Sequence, residues 1–292
     1  MRKNAAPYVF LAPTMLLFLC IFLFPIGYVI WTSMFRWNLM KPQAGRHFIG
    51  FDNFSGMLAN DQFRASMLVT LKFVLLSAPA GIVLGLGLAL LLNRPFRGKR
   101  PIQALMLTPM MIAPVAVYLS WKFLLEPTFG IVNYVLGWFG IEGPGWFSDA
   151  GTALFSVALV DIWSAVPFVF LVMYAALQAV PQDPVESAQV DGASRLRIFW
   201  HVTLPSIKPV LLVVLIIRIM DTIRIFDNIY VLTKGGPANA TRTVQFLDYE
   251  LAFNSFDIGK GSALALIIVA VILIVGSLLI REMNRTNEEL RV

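Results

Sequence analysis

The chain has 292 residues, of which 58% are hydrophobic and 14% charged, and its mean hydropathy is +0.75. Soluble domains run at roughly 45–50% apolar and 25% charged. The composition therefore excludes an ordinary water-soluble enzyme and a disordered chain, and places most of the chain in lipid. The net charge of +6 is read as basic loops on the cytoplasmic side of a membrane rather than as a nucleic-acid surface. The single cysteine, Cys20, permits no internal disulfide, and His47 and His201 lie too far apart to suggest a metal site.

A bilayer core about 30 Å thick requires roughly 20 apolar residues per helix, which predicts about six spans. In chain order they are Tyr8–Met34, Met67–Leu92, Ile102–Leu125, Thr152–Leu177, Ile207–Leu232 and Ser262–Ile280. The first is too long for a cleaved signal and no small-x-small site follows it, so it is read as a retained anchor. Gly81-x-x-x-Gly85 in the second could let another helix approach closely, although such spacing is common by chance. The non-spanning stretches are too short for a core of their own. The expectation is one all-α transmembrane domain over 1–292. Placing both termini in the cytoplasm puts Arg2, Lys3, Arg94, Arg97, Lys99, Arg100, Arg195, Arg197, Arg281, Arg285 and Arg291 inside. The sharpest local contrast is four basic residues over 93–101 against none over 126–151.

The loop between the fourth and fifth spans, 179–206, carries clear punctuation. Asp183 suits an N-cap, Pro184 the first helical position and Glu186 the third position after the cap. Gly192 suits the residue just past a helix end. These signals predict a short helix of about 8 residues, roughly 12 Å long, with a second turn starting at Ser194 and stopping before Pro205. Glu186 has two readings, a capping-box carboxylate or a contact residue.

The fifth span is unusually polar. Arg218, Asp221, Arg224 and Asp227 recur every three residues within an apolar stretch. Opposite charges at that spacing can pair along a helix, which gives a structural ion-pair ladder. The other reading puts some of them on a solute path, because an ionisable group in a membrane is costly to keep. Steps of three wind around a 3.6-residue helix, so the four cannot face one channel unless the helix is broken. Asn228 lies near the face of Asp221, and Tyr230 adds an aromatic ring. Asp161 and Trp163 in the fourth span make a second polar–aromatic pair. Such pairs suit polyhydroxylated solutes, whose hydroxyls meet carboxylates and amides while C–H surface meets a ring. Gly235-Gly236-Pro237 follows on the outer side and reads as a tight turn.

Two segments then carry a resemblance. Glu186-Ser-Ala-Gln-Val-Asp-Gly192-Ala193, followed by Phe199, Leu204 and Pro205, resembles the "EAA" loop of ABC importer permeases, with Ser187 in place of the first alanine. Phe226-Asp-Asn-Ile-Tyr-Val-Leu-Thr-Lys-Gly-Gly-Pro237, with Thr241 and Thr243, resembles the carbohydrate-type subfamily of maltose and glycerol-phosphate permeases. Leu11-Ala-Pro13 with Pro25, and Phe48-Ile-Gly-Phe-Asp-Asn-Phe54, match it more weakly.

The resemblance implies a type I ABC importer permease fold in a bacterial-type inner membrane. It implies import of a sugar or sugar-like solute, with a second homologous permease, two ATPase subunits and an extracytoplasmic solute-binding protein as partners. ATP and Mg would bind the ATPases and no cofactor this chain. Glu186, Ser187, Ala188, Asp191, Gly192 and Ala193 would couple to the ATPase. Asp161, Trp163, Asp221, Arg224, Asn228 and Tyr230 are candidates for the solute path, and Gly235, Gly236 and Pro237 for a loop facing the binding protein.

No catalytic constellation or P-loop is present; the nearest match, around Gly259-Lys-Gly-Ser262, has Asn254 and Gly261 at required positions. An ion-coupled secondary transporter with the fifth-span charges as a relay is the competing reading. A membrane enzyme is weaker still.

Overall fold

A computed structural model describes residues 6–289, with side chains over 10–285. The basic residues Arg2, Lys3 and Arg291 lie outside the described residues. The chain is almost entirely helical and divides into two compact units, Met1–Ala65 with Leu247–Val271 and Ser66–Phe246 with Ile272–Val292.

In the first unit an apolar helix crosses from Phe10 to Ser33, and none of its most apolar 18-residue window is buried by the protein. Cys20 is exposed on it. Its register widens into a π-turn at Leu19–Leu23, just before Pro25, where the Phe24 N–H bonds to the Leu19 carbonyl. Proline has no N–H and its ring crowds the carbonyl four residues back. Lengthening the bond to five residues lets the helix pass the proline instead of ending at it.

A two-stranded hairpin follows, with Phe35–Arg36 antiparallel to His47–Phe48. The buried Asn53 ties it down by donating to the carbonyls of Ser33 at 2.7 Å and Phe35 at 2.9 Å. This gives a packing role to the Phe48–Phe54 segment. Gly259 sits so close to the Phe35 carbonyl that a Cβ would approach it to 2.1 Å. Only glycine lets those backbones meet there.

In the second unit, buried Ala89 and Leu92 of the helix Asp61–Leu92 pack with Phe170 and Met173 of Ala153–Gln178 and with Ile207 and Val214 of Leu204–Ile223. The Gly81–Gly85 spacing is used unevenly here. A Cβ on Gly85 would lie 2.5 Å from the Val169 side chain, whereas one on Gly81 would rest at an ordinary 3.9 Å from Arg218 Nε. Gly85 is therefore the residue that sets the close crossing of these helices.

Three expectations need correction. The third span is not one helix: Lys99–Met111 and Pro114–Leu124 meet at a bend of 101°. Pro114 pushes Ala113 into an extended conformation (φ −58°, ψ 131°), as the residue before a proline prefers. The fifth span is displaced. It runs Arg195–Ile223 rather than Ile207–Leu232, and Asp227–Leu232 is a separate short helix. Finally, the turn begun at Ser194 does not stop before Pro205. A π-turn at Phe199–Thr203 carries it past the proline, with the Leu204 N–H bonded to the Phe199 carbonyl. The same device operates before Pro25. The second span is longer than expected, Asp61–Leu92, as is the sixth, Ile258–Arg285.

Candidate functional site: a charged cavity and a capped surface helix

The break after Ile223 shapes a cavity of about 450 Å³. Its walls are the bend of the third span (Pro109 to Tyr118), one face of the fourth (Asp161, Ser164, Ala165, Phe168) and the fifth from Arg218 to Asn228. The fourth-span positions recur at i, i+3, i+4 and i+7, the spacing of a single helical face.

No proline or glycine lies between Ile223 and Asp227. Near this end, side-chain hydroxyls bond to backbone carbonyls. The Thr222 hydroxyl donates back to the carbonyls of Arg218 at 2.8 Å and Ile219 at 3.0 Å, a local competition that bends helices. The Thr243 hydroxyl donates to the Ile225 carbonyl at 3.4 Å. Irregular backbone is tolerated at membrane depth where it lines a cavity and its polar groups find partners.

The break also settles how the four charges are arranged. An unbroken helix would have fanned them out; here Arg218, Asp221, Arg224 and Asp227 all line the one cavity. They do not form a simple ladder. Arg218, 5% exposed, bonds to Asp161 of the fourth span at 2.6 Å and to the Ser77 hydroxyl of the second at 3.4 Å. Ser77 in turn donates to Asp161. Asp221 pairs with Arg224 at 3.3 Å, each about half exposed. Asn228 is fully buried; its amide donates to the Val157 carbonyl at 3.4 Å and its Oδ1 has no partner. A buried acceptor left without a partner calls for an explanation, and Asn228 lies in the lining of this cavity.

Of the sequence candidates, Asp161, Asp221, Arg224 and Asn228 line this cavity. Trp163 does not. It packs edge-on to Trp121 at 5.5 Å and lines a neighbouring apolar cavity of about 700 Å³. Tyr230 is also outside it, stacked on Phe226 at 5.5 Å. Ser77, Tyr118 and Ser164 were not anticipated. A lone hydroxyl in an apolar helix has no sequence signature separating it from one bonded to its own backbone.

The second feature is the helix Gln182–Val190. It starts earlier than expected: Pro181 occupies the cap position and Asp183 falls within the first turn, with no side-chain cap bond. The capping box is therefore absent, and Glu186 is exposed with no hydrogen bond or ion pair among the described residues. The other end forms as expected. Gly192 has φ +73°, its N–H bonds to the Gln189 carbonyl at 3.1 Å, and the Ala193 N–H bonds to the Ala188 carbonyl at 2.9 Å. This crossed pair is a Schellman closure, which glycine makes at little steric cost. Asp191 caps the helix and Ser187 accepts its N–H at 3.0 Å. Ser194 then caps the next helix by accepting the Arg197 N–H at 3.3 Å. Beside the short helix, Val185, Gln189, Leu196 and Phe199 border a wide cavity of about 1110 Å³.

The Gly235–Pro237 turn is largely packed away. Gly235 has φ +80° and a Cβ there would lie 2.7 Å from the Phe246 ring. Thr241 staples the turn through the Gly236 carbonyl at 2.7 Å and through Thr233 at 2.7 Å. Lys234, Ala238 and Asn239 are the exposed residues of this loop.

These features coincide with a known class of membrane protein. Residues 81–285 match the family described as the binding-protein-dependent transport system inner membrane component, and the chain belongs to that family. It is 34% identical to the trehalose/maltose transport system permease protein MalF of Thermococcus litoralis, over 93% of this chain and 91% of that one. It is 32% identical to the sn-glycerol-3-phosphate transport system permease protein UgpA of Pectobacterium atrosepticum, over 93% and 92%. Among solved structures, a bacterial ABC transporter involved in import of the acidic polysaccharide alginate superposes with a TM-score of 0.82 at 26% identity, covering 96% of this chain and 95% of that one. The chain is thus an ABC permease, a non-catalytic transport component of an inner membrane. This membership disfavours the secondary transporter, and so does the site, where four of the charges are paired with one another.

Proposed function

We propose that this permease forms half of the pore of an ATP-driven importer for a sugar or sugar-like solute. Its expected partners are a second homologous permease, two ATPase subunits that carry ATP and Mg, and an extracytoplasmic binding protein. The observation that carries the solute reading is the cavity at the fifth-span break. It holds carboxylates, the orphaned Asn228 Oδ1 and the Phe226 ring within the volume range of ligand sites, about 300–1,000 Å³. The sugar-transport names of the relatives support the same class.

Coupling is assigned to the helix Gln182–Val190, with Glu186, Ser187, Ala188, Asp191, Gly192 and Ala193 facing the ATPase. Its exposed acidic side chain and rigid backbone closure suit a lever that passes ATPase closure to the fifth span as rigid-body motion. Both termini are placed in the cytoplasm, and Gly235, Gly236 and Pro237 shape a loop directed at the binding protein. The test uses the assembled complex in proteoliposomes. Glu186→Lys and Gly192→Pro are each expected to abolish binding-protein-stimulated ATPase activity and uptake while leaving assembly intact. Survival of both activities in both variants overturns the coupling assignment.

A further inference from the structure

The charge pairing inside the cavity says more about the solute than its class. We infer that the solute passed by this permease carries no net negative charge, a reading that rests on the sugar assignment above. Two guanidinium groups line the cavity, and at first sight they would attract an anion. Each is held by a carboxylate, although the buried Arg218 Nε itself has no partner. Arg218 is buried against Asp161 at 2.6 Å and Ser77 at 3.4 Å, with side-chain exposures of 6% for Arg218 and 13% for Asp161. An anion could reach that guanidinium only beside a carboxylate that already holds it, at a depth where charges are poorly screened. Arg224 is engaged by Asp221 at 3.3 Å.

The third carboxylate decides the balance. Asp227 lines the same cavity, is exposed to it, and has no ion pair or hydrogen bond among the described residues. Three acids therefore face two bases. Lys122 of the third span donates to the Val231 carbonyl at 2.9 Å and is not among the cavity-lining residues. The accessible acceptor left over is the Asp227 carboxylate; Asn228 Oδ1 and the Arg218 Nε donor are both buried without a partner. A neutral polyol supplies hydroxyl donors to that carboxylate. A phosphate, sulfonate or uronate brings a like charge beside Asp227. The choice matters because the relatives named above move both kinds of solute, trehalose or maltose in one case and an acidic polysaccharide or glycerol phosphate in others.

The assembled permease–ATPase complex in nanodiscs, without binding protein, gives the direct test, because the binding protein's own selectivity then cannot report. Two sets of probes are titrated: maltose, trehalose and sucrose as neutral solutes, and sn-glycerol 3-phosphate and an alginate disaccharide as anions. The expected result is binding by at least one neutral probe at least about tenfold tighter than by any anion. An anionic probe that binds as tightly as the best neutral one overturns the inference and leaves the sugar reading standing. Binding by neither set overturns the sugar reading and the inference with it. In the same complex, Asp227→Lys changes the excess from one acid to one base and is expected to erase most of the neutral preference; an unchanged preference removes Asp227 from the role. If Asp227→Lys fails to assemble, Asp227→Asn must shift the preference in the same direction.

Discussion

The two ends of the fifth span obey opposite rules. The N-terminal end carries Pro205 and Pro209, residues expected to stop a helix, and the helix continues through them. The C-terminal end carries neither proline nor glycine between Ile223 and Asp227, and there the helix stops. At the N-terminal end the backbone solves its own problem with a π-turn, and the preceding short helix is closed by backbone bonds around Gly192. At the C-terminal end the solution is partly tertiary: Thr222 takes up carbonyls of its own helix, whereas Thr243 takes up the Ile225 carbonyl and Arg218 anchors to Asp161 and Ser77 on two other helices. Contacts made by side chains distant in sequence leave no local signal of a break.

The comparison is broken most forcefully at Arg218. Arg218→Ala leaves the Asp161 carboxylate buried without its partner, a loss of about 3–5 kcal/mol. It is expected to show as a collapse in the yield of assembled complex and a lower melting temperature. Replacing both partners, as in Arg218→Met with Asp161→Leu, is expected to recover assembly but not solute binding. Full stability in Arg218→Ala alone would mean that the C-terminal end is not held by this pair.

A smaller effect is expected at the helix crossing beside it. Gly85→Ala drives a methyl into Val169 and is expected to cost about 1–3 kcal/mol by overpacking. Gly81→Ala meets only ordinary contact with Arg218 Nε and is expected to be neutral or slightly stabilising in the same melting assay. Equal effects at the two glycines would show that their spacing, rather than the Val169 contact, governs the crossing.

Much of the architecture was legible in the sequence. The first, second, fourth and sixth spans, the short helix and its Gly192 terminator follow from apolar run length and from punctuation that acts within a few residues. The bend of the third span escaped because Pro109 and Pro114 were averaged into an apolar window. Asp183 was misplaced as a cap because Pro181 can start a helix one turn earlier. Within the cavity, the charges of the fifth span drew attention through their cost in lipid. Their partners did not: the Arg218–Asp161 pair spans 57 residues, and Ser77 looks like any other small residue in its helix. Trp163 and Tyr230 lie outside this cavity, and an aromatic beside a polar group has the same local pattern whether it packs on a ring or faces a ligand.

At the N-terminal end the expected effects on stability are smaller still. Gly192→Ala forces a side chain into a left-handed conformation at a cost of about 1–2 kcal/mol, which falls on the local helix end and is expected to raise hydrogen exchange over 186–193 more than it lowers the melting temperature. Glu186→Ala removes no hydrogen bond or ion pair among the described residues, so the melting temperature of the complex is expected to stay within about 0.5 kcal/mol of the parent. Its transport activity is nonetheless expected to fall, since the coupling proposed above has this exposed carboxylate act on the ATPase. The pairing of these two readouts separates the ends of the span. A residue such as Arg218 cannot lose its side chain without loss of stability, whereas Glu186 is expected to lose only coupling. Glu186→Ala with full uptake would show that the short helix transmits force by shape alone, and with a large drop in melting temperature it would restore the intrachain cap that the helix start at Gln182 argues against.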